Sequence, residues 1–163
     1  MISKEQFVGA LMHELNVIRH LGEKVTPEML AYRPSDKQRT TLELMQYLGQ
    51  IFLTITKMAA AKDTSIYAAL SEAAPTVTLE NFDEVMTKQA ETVNEELMAL
   101  RDEDFKQDFA MFGTTQSLAL HLLILLKIAS AYKTQLFLYL KANGMHDIGT
   151  MNLWAGMDMP AQG

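Results

Sequence analysis

Cysteine is absent from the chain. That excludes disulfides, thiolate nucleophiles and Cys-based metal sites, and leaves the redox compartment open. The eight glycines are dispersed and proline occurs four times, so no Gly-rich loop is present to cradle a phosphate. Positive charge is scarce as well. Fourteen Lys and Arg stand against 20 Asp and Glu, a net charge of -6, and the basic residues form no stripe. A nucleic-acid partner is therefore not expected, since neutralising phosphates supplies most non-specific affinity. The acidic balance serves solubility. The opening stretch MISKEQFVGALMHELNVIRHLGEK is too polar for a secretory h-region and holds three acidic residues, so a cytoplasmic location is expected.

What remains is ordinary globular composition: 163 residues, 48% hydrophobic and 21% charged. A single domain over residues 1–163 is expected, and a domain of that size buries about 70% of its unfolded surface. The 12 methionines read as flexible fillers of a helical core.

Four long segments carry a helical period. In the first, Ser3 and Gln6 form a capping box ahead of an apolar stripe of Phe7, Val8, Leu11, Leu15 and Ile18, and Gly22 is a stop. Thr26-Pro27 opens a short turn through Leu30, and YRPSDKQRT is a loop because Pro34 disfavours helix at Arg33. Thr40 and Glu43 make a second capping box, followed by Leu44, Leu48, Ile51, Phe52, Ile55 and Met58. AALSEAAPTVT is expected to be an irregular connection. The third helix spans about residues 79–100, with Phe82, Val85, Met86, Val93, Leu97 and Leu100 inward and Glu91, Asn94, Glu95 and Glu96 in solvent. RDEDFKQDFAMFGTTQ is expected to be extended or a bent loop ending at Gly113.

The fourth segment, HLLILLKIASAYKTQLFLYLKANG (121–144), is apolar and long enough to span a bilayer. Lys127 and Lys133 near its middle argue otherwise, because a central lysine costs roughly 2.5–3.5 kcal/mol on insertion scales. The segment reads as a core helix of an all-α four-helix bundle with long connections, and no membrane partner is expected. Both lysines are expected to snorkel outward. Leu153, Trp154, Met157 and Met159, among Gly149, Gly156 and Pro160, predict a C-terminal tail that packs back on the bundle or across a dimer interface. Trp154 is its expected anchor.

Motif chemistry is sparse. Positions 121, 125, 128, 132, 135 and 139 share one face of the fourth helix, which reads His121, Leu125, Ile128, Tyr132, Gln135, Tyr139. A divalent metal would need imidazoles or carboxylates one turn apart, and no HxxxH, ExxH or HExxH occurs. His121 reads as a satisfied core histidine, and His13 and His20 as surface residues. Ser117 and Ser130 lack a nucleophile elbow, and Glu95-Glu96 and Asp102-Glu103-Asp104 belong to solvated faces and turns. No catalytic residue is assigned.

The segments LAYRPSDKQRTTLELMQYLGQI, AYKTQLFLYLKANG and IGTMNLWAGMDMP resemble the DinB/YfiT-like superfamily, whose members are four-helix bundles. The likeness extends over nearly the whole chain. It implies one inward His on the second helix and HxxxH on the fourth, ahead of a basic-small-Gln-Leu segment, holding nickel or zinc. Thiol-dependent transferases, isomerases and hydrolases share that triad. Carried over, the three ligand places fall at Tyr47, Ile128 and Tyr132, with Lys133 to Leu136 (KTQL) as the following segment. None is His, and no His lies within three positions of them. The metal is therefore expected to be absent. The tyrosines either fill the vacated space, bonded to each other, to water or to Gln46, Gln50 or Gln135, or line a metal-free pocket with Ile128, Gln50, Gln135 and His121. Two functions follow: a non-catalytic protein binding a small organic ligand or a partner, possible as a homodimer, or an enzyme without the usual metal or with one relocated to His121 or His13.

Overall fold

Each long helix begins where a side chain can accept from an orphan backbone N–H. In the computed structural model, which describes residues 2–159, α1 (Lys4–Gly22) starts behind Ser3. The Ser3 hydroxyl accepts from the Gln6 N–H, and Gln6 Oε1 accepts from the Ser3 N–H. α2 (Thr41–Ala61) repeats the device with Thr40 and Glu43. Such caps contribute about 1 kcal/mol each. Then come α3 (Tyr67–Glu72), α4 (Phe82–Ala99), α5 (Asp102–Lys106), the antiparallel pair β1 (Asp108–Met111) and β2 (Thr114–Ser117), α6 (Leu118–Ala142) and α7 (Thr150–Ala155).

α1 and α2 each pack against both α4 and α6, so the order around the bundle is α1, α4, α2, α6. The step from α1 to α2 and the step from α4 to α6 each cross the diagonal. That is why these connections are long: residues 23–40 hold a 3-10 turn (Pro27–Met29), and residues 100–117 hold α5 and the hairpin. The core between the four helices is built from Leu11, Leu15 and Ile18, Leu48 and Phe52, Met86 and Val93, and Leu122, Leu125 and Leu136, all buried. Each such side chain contributes about 1.5–3 kcal/mol by leaving water. Gly22 is the last residue of α1 and acts through packing rather than as a left-handed stop, since the cap is Glu23 in the right-handed region. A Cβ there would lie 2.2 Å from Phe82 Cε1, so its absence lets Phe82 close over the helix end.

α6 has the length and mean hydropathy, 1.3, of a membrane-crossing helix, with a third of that window buried. In this fold it forms one wall of the bundle, between α1 and α2.

Four expectations are corrected. Residues 67–72 form a helix rather than irregular chain, although none of the six is buried. The 101–116 segment is extended only in its second half: it forms α5 first and then a hairpin, turned by Phe112 and Gly113, both at positive φ (52° and 77°). A two-residue turn of that hand matches strand twist, but Phe112 is a poor advertisement for it in sequence. Lys133 does not snorkel: it is 3% exposed and ion-paired across the bundle to Glu14 of α1, Nζ to Oε2 2.6 Å. The tail packs back on α1, but Trp154 is not its buried anchor, being 64% exposed. That role falls to Asn152, buried in α7, which accepts from the Gly149 N–H and lies 3.1 Å from His20 Nε2 and 2.8 Å from Asp158 Oδ1. Lys24 pairs with Asp158 at 2.6 Å, and His13 Nε2 donates to the Trp154 carbonyl at 2.7 Å. The Trp154 ring lies 4.9 Å from Lys133 Nζ, a lid on the buried ammonium. Pro160 lies outside the described residues.

Candidate functional site

The loop before α2 is pinned to the C-terminal half of α6, and this positions the site. Tyr139 donates its hydroxyl to the Arg39 carbonyl (2.9 Å) and accepts from Gln135 Nε2 (2.6 Å). Tyr32 meets the Tyr139 ring edge-on at 5.3 Å, and the Tyr32 carbonyl accepts from the Thr41 N–H. With its backbone held there, Arg39 lays its guanidinium over the Tyr47 ring, 4.2 Å from the centroid, and 5.7 Å from that of Tyr132. The two tyrosines, one from α2 and one from α6, stack at a tilt with centroids 4.9 Å apart. Both are half-buried. Aromatic pairs of this kind add about 0.5–1.5 kcal/mol beyond the area they bury, and the guanidinium adds a cation–π contact.

Protonation follows from this packing. The Tyr47 phenol is pushed up to about 12, first by burial and then by the Tyr132 phenol beside it; the Arg39 charge opposes both and loses. Near neutral pH Tyr47 is therefore a neutral hydrogen-bonding group, further from acting as a base or nucleophile than a free tyrosine.

The other predicted site residues do not converge on this pair. Ile128 sits half-buried one helical turn before Tyr132. Gln135 is committed to Tyr139 and Gln46 to the Val77 carbonyl. Gln50 lies in the cleft between α2 and α4, and its buried Oε1 finds no hydrogen-bond partner among the described residues. His121 is eleven residues before Tyr132, about 16 Å along α6. It is a satisfied histidine: Nε2 donates to the Phe109 carbonyl at 2.7 Å, which leaves Nδ1 to accept from Gln116 Nε2 at 3.2 Å. Of Tyr47, Ile128 and Tyr132, Ile128 has no donor atom, so the three places do not offer three metal ligands. Among the described residues no group of three His, Asp or Glu side chains is placed to hold a metal.

Arg39 is the residue that sequence reasoning missed. It lies in a loop eight residues before Tyr47, and only the docking of that loop on Tyr139 aims it at the rings. Gln89 was missed too. It is buried on α4, and its amide bonds the α2 backbone at the Leu53 N–H (3.1 Å) and the Leu48 carbonyl (2.8 Å).

Helix order, diagonal crossovers and tail can be set against solved structures. The chain superposes on the crystal structure of YjoA, a DinB-like protein from Bacillus subtilis, with a TM-score of 0.73 over 85% of this chain and 92% of that one. The fold is DinB-like. Sequence identity is 19%, so the likeness is one of architecture. No protein-family model matches the chain, and no curated protein does. Within the DinB-like fold, the Tyr47–Tyr132 pair joins α2 to α6 across one side of the bundle.

Proposed function

We propose that this DinB-like bundle is a non-catalytic protein that binds a small organic ligand or a protein partner without the metal its resemblance implies. One observation carries the reading: Tyr47 and Tyr132 stack 4.9 Å apart under Arg39, at two of the three places where the resemblance puts metal ligands. A phenol raised to about 12 is not a base at neutral pH, and Ile128 at the third place has no donor atom. The enzyme alternative with a relocated metal draws no support from His121, whose two ring nitrogens are both engaged, or from His13, tied to the tail.

Elemental analysis of the purified protein tests this. No stoichiometric nickel, zinc or iron is expected, and about one tightly held ion per chain would overturn the reading.

A homodimer belongs to the same proposal. Leu120, Leu123 and Leu138 of α6 are 52%, 39% and 57% exposed, with Lys127, Ser130, Ala131 and Thr134 between them on the outer face. Large apolar residues at both ends and small ones about the midpoint suit antiparallel packing of α6 on its own copy, with Leu123 opposite Leu138 and Lys127 opposite Thr134, as a two-fold interface requires. Sedimentation should give a dimer that Leu123→Glu dissociates. A monomeric wild type removes this part of the proposal and leaves the metal-free reading intact.

A further inference from the structure

Beside the aromatic pair, the next side of the bundle has a cleft. Between α2, α3 and α4 lies a mainly apolar cleft of about 390 Å³, within the size range of small-molecule sites. Its floor depends on Gly49, where a Cβ would come within 2.7 Å of Val77 and 3.3 Å of Val85. Gln89 fixes its rear by stapling α4 to the α2 backbone, which uses both ends of its amide.

Two groups in the lining are left with unmet demands. Gln50 Oε1 is buried without a donor among the described residues, and a buried acceptor left unpaired is unfavourable. Lys57 is half-buried and forms no ion pair among the described residues. The other lining charges, Glu84 and Lys88, neutralise each other at 2.6 Å. The cleft thus keeps an excess of positive charge on a chain whose net charge is -6. Its outer wall is α3, a six-residue helix with no buried residue, the mark of an element that opens locally.

We infer that this cleft binds a small, mainly apolar carboxylate carrying one hydrogen-bond donor. The carboxylate pairs with Lys57, the donor satisfies Gln50 Oε1, and the apolar body rests against Leu53, Leu70 and Ala73. α3 tightens over it. The inference rests on the ligand-binding reading above and gives it a location and a ligand class.

Indole-3-acetate is a fitting probe, with 3-methylindole (no carboxylate) and 1-methylindole-3-acetate (no N–H) as its controls. Calorimetry on the full chain should rank indole-3-acetate first, with each control weaker by about tenfold, the range of one charge-assisted or one buried hydrogen bond. Hydrogen exchange should show new protection in residues 64–77. Lys57→Met should remove the advantage of the carboxylate, and Gln50→Leu that of the N–H. Absence of binding at millimolar indole-3-acetate, equal affinity for all three probes, or protection confined to another face would overturn the inference. The three-probe ranking on wild-type protein decides the matter even if a variant fails to fold. A bound metal ion would overturn the metal-free reading without altering this ranking, so the two failures are distinguishable.

Discussion

Tyr132 and Lys133 are neighbours on α6, yet they look into different parts of the bundle with opposite chemistry. Successive residues on a helix point about 100° apart. Tyr132 faces α2 and meets Tyr47 under Arg39, while Lys133 faces α1 and meets Glu14 under Trp154. The first contact is aromatic and half-buried, with its one full charge at the rim. The second is an ion pair whose side chains are 4% and 19% exposed. The difference shows how much a polar contact depends on where its charge is desolvated. A guanidinium over a ring stays near water, whereas an ammonium placed in the core must be matched.

The largest effect should come from unbalancing the buried side of this comparison. Glu14→Gln leaves the Lys133 ammonium unmatched and should cost about 3–5 kcal/mol in denaturant-induced unfolding. The double variant Glu14→Leu/Lys133→Met should recover most of that loss, because two apolar groups need no match. A loss under 1 kcal/mol in the single variant would show that the pair is better hydrated than its burial indicates.

Removing the cover is a smaller perturbation. Truncation after Gly149 deletes Asn152, Trp154 and Asp158, and should lower the melting temperature by a few degrees, corresponding to about 1–2 kcal/mol. Asn152→Ala should reproduce more of that loss than Trp154→Ala, since Asn152 is the buried residue and Trp154 the exposed one. The reverse order in a thermal melt would restore Trp154 as anchor.

The smallest effect lies on the aromatic side and is read by pH. The Tyr47 phenol is raised by folding from 10 to about 12, so the folded state holds this proton more tightly than the unfolded chain. Its contribution to stability is complete below pH 10 and declines as pH rises through about 12. Absorbance titration of the phenolates should show a component ionising near pH 12 that is missing in Tyr47→Phe, and the variant's alkaline loss of stability should be shallower. An unchanged titration curve would mean that the ring pair is open to solvent.

The four long helices were legible because their evidence is local. Two capping boxes, a 3.6-residue apolar period and a terminal glycine act within a turn or two of where they are written. Pairing Tyr47 with Tyr132 was reached through the resemblance, which carries information about which helices face each other that periodicity lacks. The elements that sequence reading missed depend on partners far along the chain. α3 is only six residues long and buries none of them, and the Phe112-Gly113 turn lacks the Asn-Gly or Asp-Gly signature. Lys133 was misread because a lysine in an apolar helix snorkels unless an acid on another helix meets it, and Glu14 lies more than a hundred residues earlier.

The sequence by itself thus determined the four long helices, their apolar stripes and the lack of any thiol of the chain's own, since composition and local periodicity set these. Tertiary structure decided which helices lie diagonal, which charge is buried, that Arg39 covers the tyrosines, and that Gln50 and Lys57 line one cleft. Those outcomes depend on side chains from distant segments meeting at contact distance, where desolvation and hydrogen-bond matching act.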